Sequence, residues 1–122
     1  MTKAHDYALL YERAYAAGAQ AGKEHAPTPM NLVGHVAGER REYHVPSGPC
    51  GFAWVTVRPG TSSFARWLRA TGRGRSDRYA GGTVVWIRDH GQSWEKKTAH
   101  AMKMAEVLAD AGICASYGER LD

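Results

Sequence analysis

The pattern of apolar and polar residues divides the chain into a helical start, an irregular middle and a second half of alternating strands and helices. In residues 5–21, apolar side chains recur every three or four positions, which predicts an amphipathic helix. We expect this helix to end at Gly22. Prolines and glycines punctuate residues 22–49 and predict an irregular segment, with short strands at 30–36 and 41–45.

The second half has a clearer pattern. The predicted elements are a strand at 51–57, a helix at 64–71, a strand at 83–88, a helix at 94–111 and a strand at 113–117. Serines before both helices supply N-caps, and the strands are rich in β-branched and aromatic residues. The strand 51–57 is apolar on both faces, which predicts that it is covered on both sides. Trp54 and Trp86 lie at the centres of two apolar strands and are expected to be mostly buried.

This order predicts an α+β fold in a single compact domain, residues 1–122. The expected architecture is a small mixed sheet of three to five strands with helices packed on it. Residues 1–21 form the N-terminal helix, residues 22–49 the irregular segment and residues 50–122 the α+β core, in strand-helix-strand-helix-strand order. Residues 73–80 are expected to be a polar loop.

Composition narrows the class of protein. With 122 residues, 43% of them hydrophobic and 23% charged, the chain is an ordinary globular domain in composition. Its longest apolar run is far shorter than the roughly 20 residues that span a bilayer, and no secretory signal precedes the first helix. Two cysteines are too few for a disulfide framework. We therefore expect a cytoplasmic protein with reduced thiols and no membrane partner.

Charge is unevenly distributed along the chain. Residues 58–103 hold ten basic and three acidic side chains, a net charge of +7, so the remaining residues carry −3 of the total of +4. A concentrated positive segment suggests an anionic partner, nucleic acid first among the candidates. The alternative is a solvated surface that happens to be rich in arginine.

Two stretches of this segment are candidates for the contact. The first is an arginine-rich loop, where guanidinium groups would bind phosphates and an aromatic ring would stack on bases. The second is one stripe of the predicted helix 94–111, and the two could join into one patch because they flank a single strand. The candidate residues are Arg66, Arg69, Arg73, Arg75, Arg78, Tyr79, Lys96, Lys97, His100 and Lys103.

Catalytic and metal-binding patterns are weak. Cys50 is the only candidate nucleophile, but it opens a strand instead of a helix, so a buried or half-buried structural thiol is the favoured interpretation. Cys114 is expected in the core. The six histidines show no metal-ligand spacing, and Asp89 and His90 could meet another histidine only through the tertiary fold. We therefore expect no metal, no cofactor and no catalytic residue.

Several motifs of residues 46–122 resemble a family of small tailed-bacteriophage proteins. They are the string CGFAWV at 50–55, the two glycines 81–82 followed by Trp86–Ile87, Gln92–Ser93, and the terminal Arg120–Leu121–Asp122. The chain departs from the family pattern at Ala80 and at Gly118–Glu119. The resemblance implies a phage-encoded protein of the host cytoplasm and no established activity.

Taken together, these features predict a non-enzymatic phage accessory protein that binds nucleic acid. Two alternatives remain open. One is a protein-binding module that attaches to a host factor or a phage assembly, where the basic residues would face an acidic protein surface. The other is a small Cys/His enzyme centred on Cys50.

Overall fold

The computed structural model describes residues 3–26, 48–79 and 81–121, together with the backbone of two strands at Met30–Val36 and Glu39–Val45. Three helices are present in this part of the chain: α1 at Lys3–Glu24, α2 at Ser63–Ala70 and α3 at Trp94–Asp110. The side chains of Ser62 and Ser93 accept hydrogen bonds from the first turns of α2 and α3. Both predicted N-caps are thereby confirmed.

The strands form a hairpin and a four-stranded sheet. β1 at Met30–Val36 pairs antiparallel with β2 at Glu39–Val45 inside the segment predicted to be irregular. The sheet contains β3 at Gly51–Val57, β4 at Arg75–Asp77, β5 at Gly82–Trp86 and β6 at Ala115–Leu121, in the order β4-β5-β3-β6. The α+β fold is confirmed, but the sheet is antiparallel throughout instead of mixed. The expected polar loop contains the short edge strand β4.

All three helices of the described chain lie on one face of the four-stranded sheet. Alternate residues of β3 point to this face, and Ala53, Val55 and Val57 are buried there with α-helical partners. The principal helical contributions come from Ala14 of α1, Phe64, Ala65 and Leu68 of α2, and Ala101, Met104, Ala105 and Leu108 of α3. The core is therefore a single layer between the helices and the sheet.

The opposite face of the sheet differs from expectation. Trp86 remains 37% exposed, and Trp54 and Phe52 are partly buried. Trp54 is mostly buried as expected, but Trp86 is not a core residue, because no helix of the described chain covers its side of the sheet. An apolar strand sequence predicts that its side chains are buried on average. It does not show which face of the sheet a helix will cover.

α1 and α3 pack unusually closely at two glycines of α1. A Cβ atom at Gly18 would lie 2.4 Å from Cδ2 of His100, and one at Gly22 would lie 2.4 Å from Nε2 of His90. Gly22 does not end the helix as expected, since α1 continues to Glu24. Gly22 instead leaves room for the imidazole of His90, as Gly18 does for that of His100.

The one-sided core gives a stability prediction. Leu68 is 0% exposed whereas Leu9 is 56% exposed. We expect Leu68→Ala to lower the free energy of unfolding by about 2–5 kcal/mol, the range for truncation of a buried leucine. The matched control Leu9→Ala should change it by no more than about 0.5 kcal/mol. Urea denaturation measures both, and equal effects would mean that the core is placed wrongly.

His100 gives a pH dependence. Burial, together with the nearby His90, lowers the pKa of His100 to about 4, although Asp89 opposes the shift. In the unfolded chain, His100 has a pKa of about 6.5 and is protonated below that pH. In the folded chain, the same ring stays neutral until the pH falls to about 4. Stability should therefore be complete above pH 6.5 and fall below it, by up to about 1.4 kcal/mol per pH unit.

Urea denaturation between pH 7.5 and 4.5 tests this expectation. The variant His100→Phe should lose most of the slope, and His5→Gln, at an exposed histidine, should keep it. A slope that persists in His100→Phe would assign the pH dependence to other groups.

Candidate functional site

A cleft of about 390 Å³ lies between α1, the segment that joins α2 to β4, and the outer edge of β5. We call it the arginine cleft, because three of the side chains that line it are arginines. Its lining residues are Tyr11, Tyr15, Gly72, Arg73, Gly74, Arg75, Val84, Val85, Trp86 and Arg88. No carboxylate occurs among these lining residues, so the cleft has a positive character.

The short length of β4 creates the cleft. β4 begins at Arg75, opposite Val84, so β5 continues past the end of its neighbour. Among the described strands, none pairs with the outer edge of β5 at Trp86. The chain therefore places Trp86 and Arg88 beside an open space, and α1 closes the far side with Tyr11 and Tyr15.

Aromatic rings hold one arginine in place. The guanidinium carbon of Arg73 lies 4.8 Å from the ring centroid of Trp67 and 5.4 Å from that of Tyr11. Contacts of this kind fix the orientation of a cation while leaving its N–H groups able to donate. Burial raises the pKa of Tyr11, and Arg73 opposes this shift. Tyr11 is therefore neutral at pH 7 and adds no negative charge to the cleft.

An aromatic surface continues from the cleft across the sheet. Phe52, Trp54 and Trp86 lie on the face away from the helices, and we call them the aromatic face. The ring centroids of Trp54 and Trp86 are 5.0 Å apart, and those of Phe52 and Trp86 are 6.3 Å apart. The guanidinium carbon of Arg120 lies 5.3 Å from the centroid of Phe52.

Gly118 allows Trp54 to lie across the sheet. The two residues are paired in the register of β3 and β6. A Cβ atom at Gly118 would lie 2.4 Å from Nε1 of the Trp54 indole. Any larger residue would lift the ring off β6, so the glycine keeps the aromatic face flat.

The predicted arginines separate into three groups. Arg73 and Arg75 line the cleft. Arg69 is instead a structural residue, because its Nη1 donates to the carbonyl of Gly60 at 2.7 Å and to the hydroxyl of Thr83. The remaining candidates, Arg66, Arg78 and Tyr79, are exposed outside the cleft lining.

The predicted basic stripe of α3 does not form a positive surface. Nζ of Lys96 donates to the carbonyls of Gly22 and Lys23 at the end of α1. Lys97 is 6% exposed and donates to the carbonyl of Gly51, and His100 is fully buried. Lys103 is the most outward of the four and lies 3.4 Å from a carboxylate oxygen of Glu106.

The stripe and the arginine loop also do not join. α3 packs on β3 and β6, whereas α2 packs on β4 and β5, so the two basic segments lie toward opposite edges of the sheet. Periodicity could not show this, because it does not say that α1 would cover the face of α3 that carries Lys96 and His100.

Both cysteines are exposed, which corrects the expectation that they are buried. Cys50 pairs with Ser93 through an isolated β-bridge. Among the described side chains, none of the hydrogen bonds joins Cys50 to a histidine. The side chain of His44 lies outside the described residues. The arrangement gives Cys50 no general base in this part of the chain.

The tertiary fold does bring Asp89, His90 and His100 together. One ligand atom from each lies within 4.8 Å of the others, and His90 Nε2 is 3.0 Å from His100 Nδ1. Tyr15 donates its hydroxyl hydrogen to Oδ1 of Asp89 at 2.8 Å. Sequence spacing did not predict this cluster, because the nine residues between the histidines span a turn and the start of a helix.

Sequence reasoning also missed Arg88, Tyr11, Tyr15 and Trp86 as lining residues. Arg88 belongs to the positive segment and could have been included on charge alone. Tyr11 lies on the apolar stripe of the first helix, where a ring is expected to pack in the core, and nothing in the pattern singles out Tyr15. Trp86 was assigned to the core.

No helix in the described ranges is both long and apolar enough to cross a membrane. Comparison with known proteins gives no matching family, no matching curated protein and no matching solved structure.

Proposed function

We propose that the protein binds single-stranded nucleic acid with little sequence preference. In this proposal, the arginine cleft binds backbone phosphates and the aromatic face stacks on bases. The observation that carries the proposal is the position of Trp86, which lines the arginine cleft and also contacts Trp54 on the aromatic face. Phosphate-binding and base-stacking groups are therefore contiguous.

The cleft has the chemistry that phosphate requires. Arg73, Arg75 and Arg88 offer planar guanidinium groups, which form paired hydrogen bonds to phosphate oxygens. Phosphate contacts carry no base information, so this part of the interface would be insensitive to sequence.

The aromatic face favours a single strand over a duplex. Bases within a duplex are stacked on each other, whereas the bases of a single strand can stack on exposed aromatic rings. Trp86 is 37% exposed, and its neighbours Trp54 and Phe52 are partly buried. Arg120 and Lys97 lie over the Phe52 ring, so Trp86 is the ring most open to a base. An antiparallel sheet with a partly exposed aromatic face suits the stacking of bases on these rings.

The phosphate contacts predict a change in salt dependence. Releasing counterions from a single strand gives a slope of log affinity against log salt of about −0.7 for each phosphate neutralised. We expect the double variant Arg75→Ser/Arg88→Ser, which removes two exposed cleft arginines, to reduce the steepness of this slope by about 1.4. Fluorescence anisotropy with a labelled oligothymidine at several salt concentrations measures it.

The matched control is Arg66→Ser/Arg78→Ser. It removes the same charge from two exposed arginines outside the cleft lining and should leave the slope close to that of the parent. Equal losses in the two double variants would show a diffuse electrostatic attraction. Failure of the parent to bind at low salt would contradict the proposal and favour docking on an acidic protein surface.

Base stacking predicts a loss on removal of one ring. We expect Trp86→Ala to weaken binding to the oligothymidine by about 1–3 kcal/mol, the cost of losing one stacked base. Trp86→Leu should lose a similar amount while retaining apolar packing, and circular dichroism checks the folding of both. Tyr79→Ala, at a fully exposed ring outside the cleft, is the control. A larger loss in Tyr79→Ala would move the site to the turn between β4 and β5.

Single-strand binding is compatible with the phage accessory role in the host cytoplasm that the sequence resemblance implies. Support for that origin comes from the motifs of residues 46–122 alone. The protein-binding alternative predicts affinity that depends little on salt, so the same titration separates the two.

A further inference from the structure

Asp89, His90 and His100 form a cluster that the proposed nucleic-acid interface does not use. The chain leaves β5 at Trp86 and turns sharply before α3. His90 occupies a left-handed backbone conformation there, with φ of 73°. Such a conformation is costly for a residue with a Cβ atom. It directs the imidazole toward His100, which lies in the second turn of α3 and is 0% exposed.

We propose that Asp89, His90 and His100 bind a divalent transition-metal ion such as Zn²⁺. The proposal goes beyond nucleic-acid binding and does not depend on it. Two imidazole nitrogens and one carboxylate oxygen are a donor set that Zn²⁺ and related ions prefer, with the remaining positions open to water.

The distances suit a shared ion. Zinc–nitrogen bonds are about 2.0–2.1 Å long, so two nitrogens on one tetrahedral ion are roughly 3.3–3.4 Å apart. His90 Nε2 and His100 Nδ1 are 3.0 Å apart and share a hydrogen bond, so a small separation of the two rings would turn both nitrogens onto one ion. One carboxylate oxygen of Asp89 lies within 4.8 Å of a ring nitrogen of each histidine, so the three groups border one small space.

A neighbouring tyrosine orients the carboxylate of the Asp89, His90 and His100 cluster. The hydroxyl of Tyr15 donates to Oδ1 of Asp89 at 2.8 Å, which orients the carboxylate and leaves Oδ2 for an ion. Hydrogen bonds of this kind to a ligand carboxylate are typical of metal sites. A histidine binds a metal ion through the lone pair of a neutral ring, so the assay belongs above pH 7.

α1 walls the cluster on one side. Gly18 packs against His100 and Gly22 against His90, each with no room for a Cβ atom. Nζ of Lys96 donates to the carbonyls of Gly22 and Lys23 at the end of α1. Packing against α1 thus holds the imidazoles of His90 and His100, and the hydrogen bond from Tyr15 holds the carboxylate of Asp89.

Titration calorimetry of the full chain at pH 7.5, after treatment with a chelator and its removal, tests the proposal with ZnCl₂. We expect one ion per chain. His90→Gln and Asp89→Asn should each weaken binding at least about tenfold, and Tyr15→Phe should weaken it by about 10–100-fold, as loss of an outer hydrogen bond does in metal sites. Co²⁺ should give a visible absorption band in the parent that is lost in His90→Gln.

The control is the double variant His5→Gln/His25→Gln at two exposed histidines, which should bind Zn²⁺ as the parent does. If His100→Gln fails to fold, His90→Gln and Asp89→Asn still decide the question, since neither residue belongs to the buried core. Absence of stoichiometric binding, or binding that His5→Gln/His25→Gln abolishes and His90→Gln leaves unchanged, would overturn the proposal. Nucleic acid is absent from the assay, so failure here leaves the proposed function standing.

Discussion

The close approach of α1 to α3 is the constraint on which the other features depend. It requires glycine at positions 18 and 22, because a side chain at either would collide with His100 or His90. The contact buries His100 completely and sets the ammonium group of Lys96 against the carbonyls that end α1. These carbonyls have no partner within their own helix, so the lysine also satisfies orphan acceptors. The same approach positions the tyrosines of α1 over the edge of β5.

All the described helices lie on one side of the sheet. This explains why the proposed nucleic-acid interface combines the arginine cleft with the aromatic face. The helix side supplies a dense core, and the other side leaves Phe52, Trp54 and Trp86 as rings on a sheet surface. β4 is only three residues long, so the edge of β5 stays open where the tyrosines of α1 and the arginines meet. A longer β4 would fill the cleft, and a helix on the second face would bury the rings. The interface is therefore a product of what the fold leaves uncovered.

The elements of the second half were predictable from local pattern, since caps, glycines and β-branched runs act within a few residues. The antiparallel pairing was not, because periodicity does not encode strand direction. Local pattern also misassigned Trp86, Cys114 and Lys97. The tryptophan and the cysteine lie in apolar sequences that the fold leaves exposed. Lys97 shows the reverse case: its ammonium group reaches the carbonyl of Gly51 while its alkyl stem is buried.

The density of positive charge along the sequence predicted a positively charged surface. It did not predict which of the basic side chains form that surface. Of the ten candidate residues, Arg73 and Arg75 line the cleft, while Arg69, Lys96 and Lys97 satisfy backbone carbonyls inside the fold. A cation that satisfies a carbonyl loses donors that a phosphate would need. Arg88 contributes because the open end of β5 leaves its side chain at the cleft. Tyr15 then joins the two candidate sites, since its ring lines the cleft and its hydroxyl orients Asp89. The position of one helix thus determines which charges are available and which polar groups meet.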